Sequence, residues 1–262
     1  MCSGSPDRVS TCKDCAMSLT ADQIDRYKRH ILLKEIGGPG VQKLRVASVS
    51  IIGAGALGGP CALYLAAAGL GAIELWDDDA VDRSNLQRQI QFSDAEIGAL
   101  KTERLSARLA DLNPDTAITV QSERFTADSA PVGEILIDAT DNFETRFVLN
   151  ALAHKTGRYL VSGAASRWVG QIGVFASGVR EDAPCYQWFV PQEPPEAEAC
   201  DEVGVVGAVT GMVGTQLALE TIKLITGAGN PLIGRLTIID GLGGESRTVK
   251  LRPNPDCSVC GQ

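Results

Sequence analysis

The chain has 262 residues, 44% of them hydrophobic, with a formal net charge of −8 and an isoelectric point near 4.9. That length can bury one sizeable core, and the balance of apolar and charged residues excludes a largely disordered polypeptide. The acidic balance excludes nucleic acid as the main partner, so any anionic ligand must be met by locally clustered cations.

The opening stretch MCSGSPDRVSTCKDCAM lacks the apolar run of a signal peptide, and no run of roughly 18 uncharged apolar residues follows, which points to the cytoplasm and away from a membrane. Residues 1–18 are expected to form a flexible extension, and residues 19–262 a single domain. Eight cysteines (Cys2, Cys12, Cys15, Cys61, Cys185, Cys200, Cys257 and Cys260) in a reducing compartment suggest metal ligands, reactive thiols or packing before disulfides.

Thr20-Ala21-Asp22-Gln23 is a capping-box pattern, and Ile24, Tyr27 and Ile31 follow at helical spacing until Gly37-Gly38-Pro39 ends the run. One short helix is therefore expected ahead of the main fold. Val46 to Ile52 reads as a strand, Gly53-Ala54-Gly55-Ala56-Leu57-Gly58 as a turn, and the small residues up to Gly69 as a helix. A second strand from Ala72 to Trp76 ends in Asp77-Asp78-Asp79. Next come a helix over 99–112, closed by Asn113-Pro114, and a strand over 116–121. Ile135 to Asp138 reads as a strand, Asn142 to Lys155 as a helix, and Tyr159 to Val161 as a further strand. From about residue 165 the runs 168–176 and 235–241 alternate as antiparallel strands do, and an apolar helix lies near 207–226. The proline-rich acidic patch 191–199 between them reads as a mobile loop. The expected fold is α/β and Rossmann-like: a mostly parallel, doubly wound sheet extended by antiparallel strands in its C-terminal part.

In GAGALG, Gly53 and Gly55 permit a tight turn that presents a helix N-terminus to phosphate, and Asp77 sits where a carboxylate would bond a ribose hydroxyl. NAD is the default ligand of such a motif. The segment Ser84-Asn85-Leu86-Gln87-Arg88-Gln89, with Lys101 opening the next helix, adds two cations that suit a triphosphate better. Asp141, with Glu144 three residues on, reads either as a helix cap or as a magnesium ligand beside phosphates, and the two roles can coexist.

RYKRHILL (26–33), GAGALG, the aspartates after the second strand, SNLQRQ, Lys101, Thr140-Asp141-Asn142 with Arg146, GVVGAVTG (204–211) and the final Cys257-Ser258-Val259-Cys260 together resemble the MoeB/ThiF family. These are ubiquitin-activating-type enzymes that adenylate small sulfur-carrier proteins. The resemblance implies an ATP-dependent nucleotidyltransferase, working with Mg²⁺, that activates the C-terminal glycine carboxylate of a MoaD-like carrier for molybdopterin biosynthesis. A ThiS-like carrier of the thiamine pathway is the nearest alternative. An NAD-dependent oxidoreductase and a non-catalytic carrier-binding module are the alternatives from other classes.

Carried over by position, the resemblance assigns nucleotide contacts to Gly53, Gly55, Ala56, Asp77, Asp79, Ser84, Asn85, Leu86, Gln87, Arg88, Lys101, Asp141 and Asn142. Arg29, Arg88, Lys101 and Asp141 carry the chemistry, with Asp141 the Mg²⁺ ligand, Arg146 a further cation and Ala56 standing where glycine is common. It also implies a homodimer in which Arg29 reaches the partner's site, a nucleotide-binding half over about 40–165, and a carrier-binding and dimer half over about 166–262. With the chain ending at Gln262, no fused sulfurtransferase is expected, so sulfur would come from elsewhere. Cys200 falls where relatives carry a thiol that can link to the carrier pathway.

Finally, the family pairs its last CxxC with an earlier one around a structural zinc. Here the earlier half is Cys185-Tyr186-Gln187-Trp188, which leaves Cys185, Cys257 and Cys260. Such a site keeps zinc with water or a borrowed ligand, takes a thiol from Cys12 or Cys15, or has lost the metal with Trp188 packed into the space.

Overall fold

The computed structural model describes residues 18–193, 203–252 and 254–261. Six helices and eight strands carry the fold among them: α1 (Ala21–Ile31), α2 (Gly37–Val46), β1 (Ser48–Ile52), α3 (Gly58–Ala67), β2 (Ala72–Trp76), α4 (Lys101–Leu112), β3 (Ala117–Gln121), β4 (Ile135–Asp138), α5 (Phe143–Thr156), β5 (Tyr159–Ser166), β6 (Val169–Phe175), α6 (Gly207–Thr226), β7 (Arg235–Asp240) and β8 (Glu245–Lys250). The strands form one sheet in the order β3-β2-β1-β4-β5-β6-β7-β8. Pairings from β3 through β5 are parallel, and those from β5 to β8 antiparallel. The expected mixed sheet is therefore present.

Alternation along each strand divides the core between the two faces of the sheet. Val49, Ile51, Ile73 and Leu75 join one cluster with Leu65 of α3, Leu105 and Leu109 of α4 and Leu217 of α6. Ile52, Trp76, Leu136 and Leu160 join the other with Leu149 of α5, Phe175 and Tyr186. Each fully buried leucine or isoleucine here contributes about 1.5–3 kcal/mol of transfer free energy.

Two expectations need correction. The helical region before β1 holds two helices, because Gly37-Gly38-Pro39 opens α2 rather than only ending α1. Proline is tolerated in a first turn, where its missing N–H has no helical partner to lose. Gly37 adopts φ +58, the left-handed geometry that lets the chain turn between the helices. The second correction adds β8: Glu245–Lys250 is exposed at every residue, an edge strand with no apolar alternation to announce it. Elsewhere Thr20 and Gln23 form the expected capping box, and Asn113 closes α4.

Candidate active site

The order in which strands are added reverses at β1, since the chain runs outward through β2 and β3 and then crosses back to β4 on the other side. Doubly wound sheets bind ligands at such a switch point, beyond the carboxyl ends of the strands. A cavity of about 700 Å³ opens there, lined by Gly53, Gly55 and Ala56 after β1, Asp77 to Asp79 after β2, and Thr140 to Asn142 after β4. Its size falls within the range of small-molecule and cofactor sites.

Glycine is required in the turn for packing as well as conformation. Gly53 has φ +98, and a side chain on it would strike the Ala139 carbonyl oxygen at 2.6 Å. A Cβ at Gly58 would lie 1.7 Å from the Gly53 carbonyl oxygen. The turn, the end of β4 and the start of α3 are thus in backbone contact, which brings the amino end of α3 to the cavity wall.

Asp77 is locked by the backbone: one carboxylate oxygen accepts from the Ala54 N–H at 2.7 Å and the other from the Asp79 N–H at 2.9 Å. Burial raises its pKa above the ordinary carboxylate value, against the opposing pull of Lys101 and those two N–H groups. The Lys101 ammonium meets Asp79 at 2.6 Å, with the lysine side chain only 6% exposed. Arg88 lines the same cavity and donates to the Ser84 carbonyl at 3.1 Å. Two cations therefore face the space in front of α3, as a polyphosphate requires.

The end of β4 is held by a buried cluster. One Asp138 oxygen accepts from the Thr140 N–H and hydroxyl, and the other from the Ser162 hydroxyl at 2.6 Å. Arg146 donates to the Thr140 carbonyl at 2.6 Å and to the Gly163 carbonyl at 3.2 Å, with Asp138 at 3.6 Å. Sequence reading placed Arg146 among the phosphate cations. Arg146 does line the cavity, and these bonds also clamp the ends of β4 and β5 together, which fixes the turn carrying Asp141. The helix cap is also reassigned: the Asn142 side chain, not Asp141, accepts from the Thr145 N–H at 2.9 Å. Asp141 is an exposed residue on the cavity wall.

Not every expected residue meets the cavity. Ser84, Asn85, Leu86 and Gln87 are not among its lining residues; Asp82 and Asn85 instead form a capping box around the short 3-10 turn Arg83–Asn85, which sets the direction of Arg88. Arg29 is exposed on α1 and also does not line it. Gln89 and Thr210, from two motifs singled out in the sequence, do line it, and sequence reading missed Arg124, Phe125 and Gln171, which do as well. Only folding brings these scattered positions together, and Arg124 is one more cation at the cavity. Cys12, Cys15 and Cys200 lie outside the described residues.

Outside the cavity lining, Cys185, Cys257 and Cys260 converge, their sulfurs all within 4.8 Å of one another. Cys185 and Cys257 are 3.4 Å apart, and Cys260 and Cys257 are 3.7 Å apart. Zinc–thiolate bonds of about 2.3 Å in a tetrahedron place sulfurs roughly 3.8 Å apart. The donor set fits a zinc ion on that measure.

A glycine turn opening a helix, an acid after the second strand and a polar cavity at the switch point define a Rossmann-type nucleotide-binding enzyme. The ThiF family profile matches residues 27–259, and the chain belongs to the ThiF family; it is an adenylyltransferase of that family. It is 40% identical over 254 residues to the SAMP-activating enzyme E1 of Haloferax volcanii, covering 94% of this chain and 92% of that protein. It is 37% identical to the sulfur carrier protein adenylyltransferase of Thermus thermophilus, with 94% and 93% covered. Against the adenylyltransferase and sulfurtransferase MOCS3 of Aedes aegypti the identity is 41%, over 95% of this chain but 58% of the relative. Among solved structures, Escherichia coli MccB with MccA-N7isoASN matches with a TM-score of 0.80 at 21% identity, covering 94% of this chain and 76% of that one. At that identity the likeness bears on the fold.

Proposed function

We propose that this chain uses ATP to adenylate the C-terminal glycine carboxylate of a small ubiquitin-like sulfur carrier, releasing pyrophosphate. The observation that carries this reading is the convergence of Arg88, Lys101 and the amino end of α3 on one cavity that also holds Asp77 and Asp141. A terminal carboxylate, with a pKa of about 3.3–3.7, is already ionised at neutral pH, so the reaction needs no general base. One carboxylate oxygen attacks the α-phosphorus; a new P–O bond forms, the bond to the β-phosphate bridging oxygen breaks, and that oxygen leaves with pyrophosphate. The protein's work is to bring two anions together and to neutralise charge on the transferring group.

Each residue then has a definite task. Asp77 binds the ribose, while the turn and the amino end of α3 hold phosphate oxygens. Arg88 neutralises charge, and Lys101 exchanges its contact with Asp79 for the phosphates. Mg²⁺ is typically held by one or two carboxylates together with phosphate oxygens. Asp141, exposed on the wall and fixed by the Arg146 clamp behind it, fits that requirement. When bound, the ion supplies charge neutralisation at the phosphates. A related protein named for ATP in its solved structure, Escherichia coli MccB, has the same fold over 90% of this chain, with a TM-score of 0.76.

A MoaD-like carrier, and hence molybdopterin biosynthesis in the cytoplasm, is the preferred target, with a ThiS-like carrier second. Arg29, exposed and away from its own cavity, completes the partner's site in a homodimer. Incubating the chain with ATP, Mg²⁺ and each carrier and weighing the carrier tests this directly. The expected result is a carrier heavier by one adenylyl group, and an unchanged mass with every carrier would reject the reading.

A further inference from the structure

The three clustered thiols belong to segments 72 residues apart in the chain, and the zinc they fit raises the question of its fourth ligand. Among the described residues the group contains no fourth cysteine, histidine or carboxylate. Residue 188 is three positions after Cys185, on the one-turn 3-10 segment Tyr186–Trp188 that Cys185 caps. A ligand at that spacing would complete a tetrahedron, but tryptophan offers only an N–H donor and no lone pair for a cation. The Trp188 indole N–H is itself buried and without a hydrogen-bond partner among the described residues. Cys185 is fully buried and Cys257 7% exposed, whereas Cys260 is half-buried, so solvent reaches the cluster from the Cys260 side.

We propose that Cys185, Cys257 and Cys260 form a three-thiolate zinc site whose fourth position is filled by an exchangeable solvent or small thiol ligand rather than by the protein. Four-thiolate structural sites are closed; this one is open on one side, and its three cysteines do not line the nucleotide cavity. The sulfur separations of 3.4 and 3.7 Å are already near those around the ion. The site therefore needs little rearrangement to load, and it exchanges its fourth ligand without unfolding.

The test uses the full chain, prepared reduced, and reads metal rather than activity. Elemental analysis should give one zinc per chain. Cobalt substituted for zinc should show sulfur-to-metal charge transfer of three-thiolate strength, and its spectrum should shift when a small thiol such as 2-mercaptoethanol is added. Trp188→Cys should raise the charge-transfer intensity and abolish that shift. The same variant should slow removal of the metal by a chromogenic chelator by at least the roughly 10- to 100-fold that loss of a supporting outer contact costs a metal site. Cys12→Ala with Cys15→Ala should leave the cobalt spectrum unchanged. The proposal is overturned by any of three results: absence of bound zinc or cobalt after reconstitution, a four-thiolate spectrum in the unaltered chain, or a spectrum that changes when Cys12 and Cys15 are removed. Because Trp188→Cys adds a ligand and removes none, the test does not depend on a variant that deletes one of the three thiols.

Discussion

At the scale of single residues, the cavity separates side chains that hold structure from those available to a ligand. Lys101 is buried along its stem and paired with an Asp79 that is 65% exposed. Losing that ion pair costs little stability, because solvent screens the aspartate. Lys101→Ala is therefore expected to lower carrier-dependent pyrophosphate release by about 10²- to 10³-fold, the cost of deleting one group that stabilises developing charge. The melting temperature should change little, and a matching loss of folded protein would sink the assignment. His30 offers a different test. Burial lowers its pKa, and its Nδ1 is buried without a hydrogen-bond partner among the described residues. Between its depressed folded value and the ordinary value of about 6.5, the unfolded chain binds more protons. Stability should thus fall as pH drops through that window, and urea midpoints of His30→Gln should lose this component of the pH dependence. Asp77 and Lys101 were legible in the sequence because each sits at a fixed offset from a strand end. Arg124 and Gln171 were not, because nothing local marks them and only the sheet brings them to the cavity.

Elements meet at contacts that one methyl group would break. Gly58→Ala places a Cβ on the Gly53 carbonyl oxygen, so α3 must shift away from the turn. Overpacking of this kind costs about 1–3 kcal/mol, and calorimetry should show the loss together with weaker ATP binding, since the displaced helix end is part of the proposed phosphate site. The docking of α1 depends on Asn113, which donates to the Tyr27 hydroxyl at 2.8 Å and to the Ala66 carbonyl at 2.7 Å. In Asn113→Ala both buried acceptors lose their donor, at about 1–3 kcal/mol; chemical denaturation should report that loss, and an unchanged midpoint would show that water replaces the amide. Helix caps and glycine turns are local chemistry, which is why α1, α4 and α6 were readable in advance. α2 was missed because glycine and proline serve equally well as a stop and as a first turn. β8 was missed because an exposed edge strand carries no apolar pattern.

For the whole molecule, the eight-stranded sheet holds cavity and thiol cluster as separate sites, and α5 touches the surroundings of both: Asn142 caps its start and Asn150, midway along it, accepts from the N–H of Tyr186, the residue after Cys185, at 2.7 Å. Arg29 lies outside its own cavity, and the homodimer proposed here makes a prediction no single chain can satisfy. Arg29→Ala and Asp141→Ala, each inactive alone, should regain adenylation when mixed and allowed to exchange subunits, because a mixed dimer holds one site with both residues intact. Activity that stays at the level of the separate variants would place Arg29 outside the reaction.

The order of apolar runs, turns and acids by itself determined a doubly wound sheet with a nucleotide turn after β1, since strand and helix periodicities and the glycine requirement are local properties of the chain. Sequence alone also identified Arg88, Lys101, Asp77 and Asp141 as the residues to examine. Tertiary structure alone decided that Arg146 clamps the ends of β4 and β5 while also lining the cavity, that Asn142 and not Asp141 caps α5, and that the three cysteines named from the sequence close to within 4.8 Å. A charged side chain's role depends on which distant backbone carbonyls and carboxylates fold against it, and burial in a low-dielectric interior makes those partners decisive.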